Sequence, residues 1–199
     1  MKRASKSATG RAARLSASDW VDAALRTMGR RGIANVRVER LARDLKVTKG
    51  SFYWHFRNRE ALLDAMLLRY QNLSLTKGAG AAFKSARSPL ARLTALLNAP
   101  QADPNNAEVV RMELAIRLWA RRSEHVRKMV RKLDRARLAM SLRLLAELGV
   151  RATGRRPLAH ALQALMFYLW TADDLSTADR KQLVGMALAT ARRMARRPV

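Results

Sequence analysis

The chain has 199 residues with 40 Lys and Arg against 15 Asp and Glu, a net charge of +25, no cysteine and a mean hydropathy of −0.25. That length buries a real core and suits one or two domains, and the absence of cysteine excludes disulfides, thiolate nucleophiles and Cys-ligated metals. The basic excess points to a polyanionic partner, a membrane surface or an arginine-favouring coding sequence, while no apolar run reaches the ~18 residues of a membrane span, so the expectation is a soluble protein with no membrane partner.

Residues 1–16 carry Lys2, Arg3, Lys6, Arg11 and Arg14 with no acid and no apolar signal core, which reads as a disordered basic arm rather than a secretory leader. The Arg, Ser and Ala content also resembles a transit peptide, and the arm either touches DNA or is simply solvated. A first helix is predicted over 17–31, with Val21, Ala24, Leu25 and Met28 inward, Arg30 and Arg31 in its last turn and Gly32 as its stop. Val38, Leu41, Ala42 and Leu45 then fall at i, i+3, i+4 and i+7, a short amphipathic helix. Lys46-Val47 turn the chain, and Thr48 is a natural N-cap for a second short helix that returns Phe52 to the same core. The tip of that helix, Lys49-Gly50-Ser51, is narrow enough to enter a major groove and polar enough to read base edges. Tyr53, Trp54 and His55 follow, with Arg57 and Arg59 close behind. The first 59 residues hold fifteen basic and four acidic side chains, a balance of +11, which leaves +14 over the other 140; the charge is densest where this helix-turn-helix lies, though not confined to it.

Asn58 caps a fourth helix burying Leu62, Leu63, Met66, Leu67 and Tyr70, and a Gly/Ala/Ser-rich loop is predicted over 77–88. Pro89 opens a fifth helix, a loop is expected over 99–106, and further helices over 107–122, 124–148, 158–172 and 177–196, the seventh ending at Gly149 and the last opened by a Ser176…Asp179 capping pattern. A basic turn over 151–157 separates the seventh and eighth. No β alternation, repeat or low-complexity tract interrupts the series, so the fold class is all-α with about nine helices. The domains expected are a basic arm at 1–16, a DNA-binding helix-turn-helix at 17–60 and a helical effector-binding and dimerisation domain at 61–199.

Val47-Thr48-Lys49-Gly50-Ser51-Phe52-Tyr53-Trp54-His55-Phe56, with Leu41-Ala42 before it and Asn58-Arg59-Glu60-Ala61-Leu62-Leu63 after, resembles the tetracycline-repressor (TetR) family of bacterial transcription regulators. The resemblance is strongest over 18–67, about a third of the chain, and includes Ala23-Ala24-Leu25 and Gly32-Ile33. Two positions depart from the pattern. Lys46 stands where the family often has glycine, so it must accept a positive φ at a cost of about 1 kcal/mol, and Arg37 stands where Ser or Thr usually caps. The resemblance implies nine helices in this order and phosphate contacts at Thr48, Tyr53, His55 and Arg59. Lys49 and Ser51 are candidates for base edges, with Gly50 allowing close approach. It also implies an effector cavity lined by helices four to eight, but carries over no residues there. Met112, Trp119, Met140 and Phe167 are named from the sequence as candidate cavity residues, and Arg111 or Arg117 as holders of an anionic end. Ordinary core packing, and an i,i+4 ion pair of Glu113 with Arg117, explain the same residues.

The last two helices are apolar on more than one face, which calls for a second packing partner. Leu162, Leu165, Leu169, Leu188 and Ala191 are read as a homodimer interface in a four-helix bundle, with burial inside one protomer as the other reading. Catalysis finds little support: His55, His125 and His160 lack metal spacing, and no phosphate loop or nucleophile elbow is present, so no cofactor is expected. The sequence reading is therefore a cytoplasmic bacterial regulator, a homodimer that binds a pseudo-palindromic double-stranded DNA operator and responds to an unidentified small-molecule effector, most simply as a repressor. An architectural protein that binds nucleic acid by charge alone is the alternative.

Overall fold

The computed structural model of the chain describes residues 15–76, 84–102, 106–172 and 174–196; most of the basic arm, residues 77–83 of the Gly/Ala/Ser-rich stretch and Asp173 lie outside them. The described residues form nine α-helices and one 3-10 turn: α1 (Ala17–Arg31), the turn Ile33–Asn35, α2 (Val38–Asp44), α3 (Lys49–Tyr53), α4 (Arg59–Thr76), α5 (Pro89–Ala102), α6 (Asn106–Ala120), α7 (Glu124–Glu147), α8 (Ala152–Thr171) and α9 (Thr177–Arg196).

Local chemistry sets most of these boundaries. Ser16 and Asp19 close a reciprocal capping box at the start of α1, Asn58 Oδ1 accepts from the Ala61 amide at 2.9 Å at the start of α4, and the Ser176 hydroxyl accepts from Asp179 at 3.1 Å at the start of α9. Gly32, at φ 79, ends α1 and donates its amide to the Met28 carbonyl at 2.8 Å. Lys46 does adopt the left-handed conformation, φ 57, and Arg37 makes no side-chain cap for α2. Thr48 occupies the N-cap position of α3, but its side chain makes no capping bond either.

Two expected loops are helical instead. α5 runs through Pro100 to Ala102, so the break expected at 99 does not occur there. α8 starts at Ala152, not 158, and carries Pro157 inside it. As the sixth residue of this helix Pro157 lies past the first turn, so the amide hydrogen bond to the Thr153 carbonyl is forgone. The preceding turn has outside support: Arg155 Nε donates to the Val150 carbonyl at 2.5 Å.

Two apolar clusters organise the molecule. The first joins Trp20, Leu25, Met28, Leu41, Phe52 and Phe56 to Leu62, Met66 and Tyr70 of α4, Ile116 of α6, and Val126 and Leu133 of α7. The second holds Leu93 and Leu97 of α5 against Leu145, Leu158, Leu162, Leu169, Val184 and Ala191. A division after residue 60 thus marks no break in the packing, because the first cluster passes through it. α1 makes its most extensive contact with α6, and it can do so because Gly29 lies there: a Cβ at that position would meet Met112 Cγ at 3.3 Å. The three-helix head is thereby fixed to the body.

Candidate DNA interface and effector cavity

The head presents α3 at its surface on an aromatic base. Phe52, fully buried, meets Trp20 edge-on at 5.3 Å between ring centroids and stacks with Phe56 at 5.5 Å. With Phe52 held inward, Thr48, Lys49 and Gly50 stand exposed, Ser51 is half-buried, and Tyr53 and His55 are exposed at the far end of the helix. The candidate base and phosphate residues on α3 and at its ends are thus open to solvent, Ser51 in part. Trp54, between Tyr53 and His55, is 85% exposed. Arg37, Arg40 and Arg43 add cationic groups around a hollow beside α2 that Asn35 and Glu39 also line.

Two of the candidate cations are engaged. Lys49 Nζ lies 2.5 Å from Glu39 Oε1, and this bond raises the lysine pKa and lowers that of the glutamate. Arg59 sends Nε to the Val36 carbonyl at 2.6 Å and Nη2 to the Ile33 carbonyl at 3.2 Å. It ties the 3-10 turn to α4, keeping further N–H donors for an outside acceptor.

A cavity of about 710 Å³ opens between α6, α7 and α8. Of the four candidate cavity residues, Met140 and Phe167 line it; Met112 and Trp119 pack against the first apolar cluster instead. The correction has a simple cause. α6 faces the head with Met112 and Trp119 and the cavity with Glu113 and Arg117, so the two large apolar candidates lie on the side away from the cavity. Arg111 likewise lies against Gly29 of α1 rather than in the cavity.

The cavity wall contains a buried ion-pair network. Glu113, 3% exposed, accepts Arg117 Nε at 2.7 Å, Arg137 Nη1 at 3.1 Å and Arg137 Nη2 at 2.9 Å, and a close bond from the Tyr70 hydroxyl. Arg117 also grips Asp134 with both terminal nitrogens, at 3.1 and 2.7 Å, and lies 5.7 Å from the centre of the Phe167 ring. Burial pushes the Glu113 carboxyl up, but the bonds and charge of Arg137, with Tyr70 and Arg117, outweigh it and hold the pKa down at about 2. Burial and the adjacent Glu113 charge push the Tyr70 hydroxyl up, so it stays a donor. The network joins α4 to α6 and α7. The i,i+4 pair of Glu113 with Arg117 was legible in sequence; Tyr70, Asp134 and Arg137, distant along the chain, carried no signal.

The proposed interface residues divide. Leu162, Leu169 and Ala191 are closed into the second apolar cluster, at 3%, 1% and 0% exposure, and have no surface left for a partner, whereas Leu165 and Leu188 are half-buried. The outward faces of α8 and α9 instead carry Ala161, Ala164, Tyr168, Gly185, Met186 and Ala189, all exposed. α8 and α9 are apolar on both sides, and Leu162, Leu169 and Ala191 belong to the inward one. Arg180 fixes the turn between these helices by donating to the carbonyls of Leu169, Ala172 and Leu175.

Residues 21–66 match the family model for bacterial regulatory proteins of the tetR family. The chain is 37% identical over 67 residues to the class D tetracycline repressor of Escherichia coli, covering 32% of this chain and 31% of that one. Against the HTH-type transcriptional regulator BetI of Agrobacterium fabrum it is 34% identical over 111 residues, covering 55% and 53%. The matches thus span about a third to a half of these relatives, which are transcriptional regulators rather than enzymes. Across nearly the whole chain, the fold is similar to a Rhodococcus sp. protein assigned to the TetR family, with a TM-score of 0.63, 26% identity, and 85% and 95% coverage. A Saccharomonospora viridis transcriptional regulator in complex with choline shares the fold at a TM-score of 0.69 and 18% identity, over 86% of this chain and 92% of that one. The head geometry, the matched segment and the whole-chain likeness agree: residues 21–66 match the tetR family of bacterial regulatory proteins, and the fold is similar to that of a TetR-family regulator.

Proposed function

We propose that the protein is a cytoplasmic, sequence-specific DNA-binding repressor that acts as a homodimer and releases its operator when a small molecule occupies the cavity. The observation that carries this reading is the exposed edge of α3, set on a core continuous with the helices of the cavity wall. Lys49 and Ser51 read base edges, Gly50 admits the helix to the groove, and Thr48, Tyr53, His55 and Arg59 hold phosphates. Phosphate contacts position the head, whereas base contacts specify the sequence. One short reading helix makes too few contacts for specificity, so a two-fold pair about 34 Å apart is required.

The outward faces of α8 and α9 supply the pairing. Ala161, Ala164, Gly185 and Ala189 are small enough to let helices of two protomers approach closely, and Tyr168 and Met186 give apolar area that otherwise faces water. α4 runs from the head into the Tyr70–Glu113 bond, so a ligand that shifts this wall biases the spacing of the two heads. A ~100-fold preference of ligand for the wide-spaced state corresponds to about 2.7 kcal/mol of coupling.

Selection of bound sequences from a random DNA library tests the reading. A single pseudo-palindrome preferred by ~10³-fold or more is expected, and uniform, steeply salt-dependent affinity favours the architectural alternative instead. Sedimentation of the wild type as a dimer and of Met186→Glu as a monomer is the expected result for the pairing face; a wild-type monomer with intact operator binding removes it.

A further inference from the structure

We infer that the cavity between α6, α7 and α8 takes an organic anion, an acid group on an apolar tail or flat ring, and discriminates against cations. The inference rests on the proposal that this cavity is the effector site, and it assigns the class of effector. A volume of about 710 Å³ suits a small organic molecule, and Leu96, Met140, Met166 and Phe167 give its wall an apolar character.

The charges on the wall do not balance. Arg117, Arg131, Arg135 and Arg137 face Glu113 and Asp134. Both acids are already committed within the protein. A carboxylate offers about four acceptor positions, and Glu113 spends all four on Tyr70, Arg117 and the two Arg137 nitrogens. Asp134 is gripped by both ends of Arg117. Glu113 has no acceptor position left for an ammonium group, and the Asp134 charge is already matched by Arg117, with Arg137 3.7 Å away. Arg131 and Arg135, by contrast, have no acidic partner among the described residues and stand exposed at the rim.

Two further observations point the same way. Trp170 lines the cavity, and its indole N–H is enclosed without a hydrogen-bond partner. An indole nitrogen can only donate, so a ligand that shifts this wall and reaches it must bring an acceptor. The Phe167 face, which an organic cation would use, already lies against the Arg117 guanidinium, 5.7 Å from the ring centre. The wall therefore offers donors and unpaired positive charge, while its buried carboxylate and the Phe167 ring are already engaged by arginines from within. In this respect it departs from what choline, the cation bound to the Saccharomonospora viridis regulator, would require.

Three probes with the same tail and different heads separate the possibilities: octanoate, 1-octanol and octyltrimethylammonium, titrated calorimetrically into the full chain at fixed ionic strength. Octanoate is expected to bind at least ~10-fold more tightly than either of the others, a difference of about 1.4 kcal/mol. The double variant Arg131→Gln/Arg135→Gln is expected to remove most of that preference while leaving octanol affinity unchanged, and Trp170→Phe to weaken octanoate several-fold. Arg156→Gln, at an exposed position outside the cavity, controls for bulk charge and is expected to change nothing. Equal binding of the three heads, or tightest binding of the ammonium, overturns the anion assignment and leaves the cavity standing as a ligand site. No binding of any probe in the millimolar range overturns the assignment together with the effector-site proposal on which it rests.

Discussion

The head and the cavity wall handle charge in opposite ways. In the head the largest fully buried side chains, Trp20, Met28, Leu41 and Phe52, are apolar, and the candidate DNA-binding groups are attached outside that core. In the wall a carboxylate is itself part of the interior: Glu113 is 3% exposed and held by Tyr70, Arg117 and Arg137. A side chain on the head's surface can be changed without disturbing what folds the head. A member of the Glu113 network cannot, because removing one partner strands the others in a poorly solvated place. Affinity and stability are separable in the first region and coupled in the second.

The largest expected effect tests whether the two regions share one core. Trp20→Ala removes a fully buried ring that packs against Phe52, at a cost of about 3–5 kcal/mol. Since the cluster continues into Ile116, Val126 and Leu133, thermal unfolding followed by circular dichroism should show one transition moved down as a whole. A low-temperature step confined to the head, with the body melting at the wild-type temperature, would break the claim of continuity.

Glu113→Gln probes the opposite design. It leaves Arg137 with only Asp134, 3.7 Å away, and Arg117 with Asp134 alone, and about 3 kcal/mol of stability should be lost at neutral pH. The wild type carries its own version of the experiment. The Glu113 pKa falls from its ordinary 4.5 to about 2 on folding, so its contribution is fully present above pH 4.5 and disappears as the pH drops toward 2. Urea unfolding at pH 7, 5 and 3 should show the gap between wild type and variant shrinking at the acid end. A gap that stays constant would mean that the carboxylate is not what holds the network.

The same contrast explains what was legible in the sequence. The head is a local object: the apolar spacing of Val38, Leu41, Ala42 and Leu45, the cap position of Thr48 and the turn at Lys46 all fall within a dozen residues, so pattern alone places them. The order of the helices was equally readable, since Ser16, Asn58 and Ser176 cap through neighbours three residues away. The cavity wall is assembled from residues as far apart as Tyr70, Glu113, Arg137 and Trp170, and nothing in their local patterns brings them together. Apolar character misled where a helix has two apolar faces: Met112 and Trp119 belong to the joint with the head, and Leu162, Leu169 and Ala191 to the core rather than to an outer seam.

A smaller effect is expected on the head's surface, where affinity should change without stability. Lys49→Ala should relax preference at one base pair per half-site and cost about 1–3 kcal/mol there, while Tyr53→Phe should weaken all sequences alike. Glu39 competes with DNA for Lys49 in the free protein, so Glu39→Gln should strengthen operator binding about two- to three-fold, as read by fluorescence anisotropy. Should Tyr53→Phe alter the preferred sequence and Lys49→Ala leave it intact, the two roles are reversed.

The smallest effect belongs to the turn that joins α2 to α3. Lys46 sits at φ 57, a conformation that crowds its Cβ against the backbone, and the turn is closed by bonds from the Lys46 amide to Arg43 and from the Val47 amide to Ala42, at 3.1 and 2.9 Å. Glycine relieves about 1 kcal/mol of strain at such a position. It also widens the unfolded ensemble, and the two terms oppose each other. The net expectation for Lys46→Gly is a gain of about 0.5 kcal/mol, or roughly 1–2 °C in melting temperature for a chain of this size. Loss of one exposed cation should slightly reduce the salt dependence of DNA binding while the preferred sequence stays the same. A variant that melts several degrees below the wild type would mean that Lys46 does more than turn the chain, and the head's surface charges would then no longer be separable from its fold.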